Sequence, residues 1–134
     1  MARIEWQARF ELGVAQVDRE HRGLVDAMNR IHELSEEKAG KAAIDAAIQK
    51  LAELTTQHFR DEELYMEKIG YADRERHGLI HEDMLRKVTE HHEEFRSGDG
   101  TLSDRFLQFL VNWLSAHICH IDRKYVDANK PAGV

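Results

Sequence analysis

One cysteine and one proline are all that the 134 residues contain of either. The single thiol, Cys119, excludes an intramolecular disulfide and a C-x-x-C-H haem attachment. It fits a reducing compartment, so the cytoplasm is the expected location. The one proline, Pro131, stands almost at the C-terminus, and nothing before it forbids long helices. No apolar run reaches the roughly 18 residues of a membrane helix, and no signal-peptide stretch opens the chain. Neither a membrane span nor export is expected. Positive charge is in deficit too: 19 Lys and Arg against 25 Asp and Glu give a net charge of −6. A phosphate-backbone ligand would call for a basic stripe, and there is none, which argues against nucleic acid as a partner. The residue in excess is histidine, with nine at positions 21, 32, 58, 77, 81, 91, 92, 117 and 120.

The length suits one domain over residues 1–134, able to build a core without external support. Apolar residues recur at helical spacing in four stretches. His21, Leu24, Val25, Met28 and Ile31 share a face from Asp18 onward. Ile44, Ile48, Leu51, Thr55, His58, Glu62 and Tyr65 follow in steps of three and four and stop at Gly70. His77, His81, Met84, Val88 and Phe95 form the third set, which breaks at Ser97-Gly98-Asp99-Gly100. Phe106, Leu110, Trp113, His117, Ile121 and Tyr125 form the fourth, with Ser103 as its N-cap. The spacing predicts helices over about 18–39, 42–68, 73–96 and 103–127. Short connections between helices of this length favour an all-α, antiparallel up-down-up-down four-helix bundle. Residues 1–17 remain as an N-terminal arm whose Trp6, Phe10, Leu12, Val14 and Val17 are too apolar for a solvated tail, so it is expected to pack across the bundle.

The same periodicity sends His21, His58, Glu62, His77, His81 and His117 to the interior. One buried histidine is usually a core residue bonded to a carbonyl. Six polar groups together ask for another explanation. His58 and Glu62 are four apart, as are His77 and His81, and such pairs point the same way on neighbouring turns. Two pairs on adjacent helices frame a cavity, and His21 and His117 complete a ring that divalent iron, copper or zinc would accept. Asp122 is awkward, since five residues after His117 puts it about 140° away on an ideal helix. A carboxylate bridging from the flank or a π-bulge in the last turns would each bring it in.

The ordered pattern of a lone His, H-x-x-x-E, H-x-x-x-H and H-x-x-x-x-D resembles the hemerythrin family. Its flanks, Val17-Asp18-Arg19-Glu20-His21, His58-Phe59-Arg60-Asp61-Glu62-Glu63, Gly70-Tyr71 and Trp113-Leu114-Ser115-Ala116-His117-Ile118, are similar to those of bacterial single-domain members. The main departure is Glu20, where relatives often carry Gln, at a position that is not a ligand. The resemblance implies two non-haem iron ions joined by an oxo or hydroxo bridge. By that analogy His77, His81 and His117 hold one iron, His21 and His58 hold the other, and Glu62 and Asp122 bridge them. It further implies reversible dioxygen binding at an open position on the second iron, in an oxygen-binding protein rather than an enzyme. An apolar pocket of Leu24, Phe59, Trp113, Leu114 and Ile118 would exclude water there. Storage, transport or delivery to an oxygen-consuming acceptor protein is the expected role. Oxygen or redox sensing and consumption of peroxide or nitric oxide are the other classes.

Physical reasoning points the same way. Two ferrous ions with two carboxylates and one hydroxide keep one net positive charge, whereas four carboxylates would make the site anionic and favour the ferric state. The Glu-x-x-His pairs of ferritin-like di-iron enzymes are absent from the sequence. So is H-E-x-x-H, because neither His81-Glu82 nor His92-Glu93 has the second histidine. His32, His91 and His92 lie more than about 14 Å along their helices from the ring and are expected at the surface or the bundle ends. His120 is expected to be a neighbour of the site or exposed, Cys119 inert, and Trp6 an anchor for the arm. No exposed heptad seam calls for a dimer, so a monomer is expected.

Overall fold

A computed structural model of the chain describes residues 5–117, 124 and 125, with Arg9, Leu114 and Ser115 described by their backbone alone. Its helices are α1 (Ala15–Glu36), α2 (Lys41–Lys68), α3 (Arg74–Ser97) and α4 (Asp104–Ala116), preceded by a 3₁₀ turn at Ala8–Phe10. They form an all-α four-helix bundle in which α1 packs on α2 and α4, and α2 on α3. Between α3 and α4 the His91 ring stacks on Phe106 at 5.1 Å, and Arg105 pairs with Glu94 at 2.9 Å.

Local chemistry sets the ends. The Ser103 hydroxyl accepts the Phe106 N–H at 3.1 Å and caps α4. Gly70, with φ 68°, ends α2: Tyr71 N–H reaches the Met66 carbonyl and Gly70 N–H that of Glu67. This is the paired closure a left-handed residue permits. The first helix departs from the sequence reading at both ends. It begins at Ala15 because the Asp18 carboxylate accepts the N–H groups of Leu12 and Gly13, at 2.8 and 3.1 Å, and ties down the turn before the helix. It stops at Glu36 because Lys38 takes φ 53°, which ends the helix before Gly40 can act as the stop.

Two apolar clusters fill the interior. The larger joins Leu24, Met28, Ile31, Ile48, Leu51, Phe59, Phe95, Phe106, Leu110 and Trp113 across all four helices. The smaller joins Phe10 and Leu12 of the arm to Val17, Val25, Met66 and Tyr125, with Trp6, Tyr65, Ile69 and Tyr71 against it. The arm thus lies on the bundle, held by Arg22 of α1, which pairs with Glu11 and packs 4.9 Å from the Trp6 ring centre, while within the arm Trp6 Nε1–H donates to Glu11 Oε1 at 2.7 Å. Among the described residues no helix is long and apolar enough to cross a membrane.

Candidate metal centre

Polar side chains converge from all four helices in the part of the bundle where α1 and α3 begin and α2 and α4 approach their ends. His21, His58, Glu62, His77, His81 and His117 are each 3% exposed or less. The four-residue spacing does what helical geometry requires: His58 and Glu62 project from α2 on successive turns, and His77 and His81 face them from α3.

Glu62 divides the imidazoles into two groups. Its Oε1 lies 2.8 Å from His81 Nε2, 3.3 Å from His77 Nε2 and 3.7 Å from His117 Nε2. Its Oε2 lies 3.1 Å from His58 Nε2 and 3.5 Å from His21 Nε2. The donor atoms of Glu62, His77, His81 and His117 all lie within 4.8 Å of one another, and so do those of His21, His58 and Glu62. Glu62 Oε1 and both nitrogens of His81 are buried and make no hydrogen bond among the described residues, despite these close approaches. Lone pairs crowded this way, buried in the bundle, suit a cation between them. Imidazoles with one carboxylate are a donor set for divalent first-row metals, and two groups sharing a carboxylate suit a non-haem di-iron centre.

The electrostatics prepare these atoms. Burial alone would raise Glu62, but the surrounding imidazoles, His58 first, hold it well below the usual carboxylate range. Burial pushes the His81 imidazole down, against the pull of Glu62, and favours the neutral form a metal needs. Contacts behind the rings fix their orientation. His58 Nδ1 is 2.7 Å from Glu20 Oε1, so that with its proton there it donates to Glu20 and turns the Nε2 lone pair toward Glu62. Burial works against ionising Glu20, yet its hydrogen bonds with His58 and Asp61 hold it below the usual range. Asp61, hydrogen-bonded to Glu20, is pushed up. The Tyr125 hydroxyl donates to Glu62 Oε2 at 3.0 Å.

Of the residues expected in the apolar pocket, Leu24, Phe59 and Trp113 are buried. Phe59 lies flat on His81, with ring centres 3.8 Å apart, and Trp113 is 5.8 Å from His117. An apolar cleft of about 490 Å³ on the α3–α4 side, lined by Met84, Phe109, Trp113 and Ala116, reaches His117. Asp122 and Ile118 lie outside the described residues, as does the side chain of Leu114. Cys119, His120 and Ile121 also lie outside them. The backbone at His117 is π-helical, the distortion that would alter the angle to a residue five positions on. Two of the other histidines have packing roles: His91 stacks on Phe106 and Phe109, and His92 Nε2 is 2.7 Å from Asp45. Glu20 and Tyr125 are the participants that periodicity missed. Glu20 precedes a buried histidine without showing which helix it reaches, and Tyr125 reads as an apolar position whose hydroxyl has no visible use.

An all-α bundle enclosing two imidazole groups joined by one carboxylate is the donor arrangement of a histidine-rich metal-binding protein and suits a dinuclear centre. The chain belongs to the hemerythrin family: the family model Hemerythrin HHE cation binding domain matches residues 12–128. A bacteriohemerythrin of Pseudomonas aeruginosa (strain LESB58) is 35% identical over 128 residues, 96% of this chain and 82% of the relative. One from Clostridium acetobutylicum is 32% identical over 126 residues, covering 91% of this chain and 98% of the relative. A crystal structure of wild-type hemerythrin superposes with a TM-score of 0.86 at 25% identity, covering 97% of this chain and 100% of the other.

Proposed function

We propose that this protein binds dioxygen reversibly at a non-haem di-iron centre and stores or delivers it in the cytoplasm. The observation that carries the reading is the division of five buried imidazoles between the two oxygens of Glu62, three on one side and two on the other. His77, His81 and His117 would hold one iron and His21 and His58 the second, with Glu62 and Asp122 shared between the two alongside an oxo or hydroxo group. An iron pair held there would supply the reversible two-electron chemistry that dioxygen binding needs. With only two imidazoles, the His21–His58 side has the smaller ligand set, which leaves room for an exchangeable ligand. Tyr125 anchors the shared carboxylate, Glu20 fixes the His58 ring, and Leu24, Phe59 and Trp113 keep water from the interior. Leu114 and Ile118 are assigned to the same apolar wall, and an oxygen-consuming acceptor is the corresponding partner.

The test is an optical spectrum of anaerobic, ferrous-loaded protein, repeated after admitting air and after purging with inert gas. An intense visible charge-transfer band that forms in air and disappears on purging supports a carrier. A single irreversible conversion to a ferric product would move the reading to a redox enzyme or sensor.

A further inference from the structure

All three tyrosines of the chain meet in one cluster beside the centre. Tyr125 is fully buried, and its hydroxyl donates to Glu62 Oε2 at 3.0 Å. Its ring centre lies 5.7 Å from that of His77, 5.5 Å from that of Tyr65 and 6.3 Å from that of Tyr71. These are the separations of aromatic rings in contact. Tyr65 and Tyr71 are each half-buried, so both reach the surface. Tyrosines in an apolar core are ordinary packing when each hydroxyl needs no more than an acceptor, and phenylalanine would fill the same space. Here the hydroxyl of the one inaccessible phenol ends on the carboxylate that both imidazole groups share, and the two other phenols of the chain join that ring to solvent. A phenol gives up an electron readily only where its proton has somewhere to go. For Tyr125 that acceptor is Glu62 Oε2.

We infer that Tyr125, Tyr65 and Tyr71 form a redox relay between the metal centre and the surface, through which the ferric protein reduces hydrogen peroxide at the expense of a small external thiol. The inference rests on the iron pair proposed above, but not on that pair binding dioxygen reversibly. Each hydrogen peroxide takes up two electrons and two protons, its O–O bond breaks, and it leaves as two waters. Tyr65 and Tyr71 each supply one electron and one proton and become phenoxyl radicals, and the irons end in the oxidation state in which they began. Tyr125 passes both electrons in turn. Its proton shifts along the hydrogen bond to Glu62 Oε2 as an electron leaves, and returns when a neighbouring ring refills it. Two thiols then restore the two phenols and join as a disulfide. The metal supplies the reaction with peroxide, and the protein supplies the path for electrons. Peroxide is what an iron pair handling dioxygen releases whenever two electrons and two protons stay on the oxygen, so the relay would dispose of the centre's own by-product.

The experiment adds hydrogen peroxide to ferric-loaded protein without thiol, freeze-quenches samples for electron paramagnetic resonance, and then reads the fluorescence of dityrosine, which forms where phenoxyl radicals of two chains couple. Iron per chain is measured in every sample. Wild type is expected to give a tyrosyl signal that narrows when its tyrosines are ring-deuterated, followed by dityrosine, and zinc-loaded protein to give neither. Tyr125→Phe keeps Tyr65 and Tyr71 at the surface, yet both readouts should be lost, a result that exposure of those phenols alone would not produce. Tyr65→Phe with Tyr71→Phe leaves the Tyr125–Glu62 hydrogen bond in place, so the radical should persist on Tyr125, dityrosine should vanish, and added thiol should quench the signal more slowly than in wild type. This double variant decides the matter if Tyr125→Phe binds little iron. Wild type that holds two irons and forms no tyrosyl radical, equal dityrosine from wild type and Tyr125→Phe, or a double variant without any radical would each overturn the relay and leave the centre intact. A wild-type iron content well below two would overturn the centre, and the relay with it.

Discussion

A hydrogen bond of 2.7 Å between Glu20 and His58 supports the His21–His58 half of the centre from behind. A carboxylate accepting the Nδ1 proton fixes the ring and strengthens Nε2 as a donor, and losing such a partner costs about 10–100-fold in metal affinity. Glu20→Ala should therefore weaken binding of the second ion by about that factor in a Co²⁺ titration, whereas Glu20→Gln, whose amide oxygen still accepts, should recover most of it. His58→Ala removes one of the two imidazoles on the Oε2 side, and iron per chain should fall toward one in elemental analysis. At this scale the sequence shows the six interior polar groups, because i, i+4 pairs announce a common direction. It does not show Glu20 or Tyr125 as participants, because their contacts cross between elements. Neither His58 nor Glu62 is within reach of these partners along the chain.

The helices were legible wherever their ends depend on residue type. Ser103 caps α4, and Gly70 closes α2 at φ 68°. Gly70→Ala forces a Cβ into the left-handed region and should destabilise the metal-loaded protein by about 1 kcal/mol in urea unfolding. Ser103→Ala, which removes the acceptor for the Phe106 N–H, should cost about 0.5–2 kcal/mol by the same measurement. The boundaries of α1 were not legible, because they depend on where a side chain turns. Asp18 has the composition of a helix start, yet its carboxylate reaches back to Leu12 and Gly13 from inside the first turn. Lys38 takes the conformation that rules of composition assign to glycine. On α2 the last buried apolar residue is Met66, while Tyr65 is half-buried. The one-residue rotation turns Met66 toward the arm.

Across the whole molecule, metal and proton compete for the same nitrogens. Burial holds the His81 imidazole below its ordinary value of 6.5. As pH falls through that value, the unfolded chain takes up a proton that the folded chain resists, so stability rises with pH there and is lost on acidification. Melting curves of the metal-free protein should shift to lower temperature from about pH 7 to about pH 5.5, with a shallower dependence in His81→Gln. The two apolar clusters have a consequence of their own. They flank a polar layer of imidazoles and one carboxylate to which a bound ion would add cohesion beyond the Tyr125–Glu62 and His58–Glu20 hydrogen bonds, so without metal this waist of the bundle is weaker. The two tryptophans are divided between them, Trp6 beside the arm cluster and Trp113 in the larger one, which places a native fluorophore on each side. Variants carrying only one of the two should report a single shared unfolding transition when loaded and two separated transitions when stripped, turning the metal into a measurable hinge pin of cooperativity.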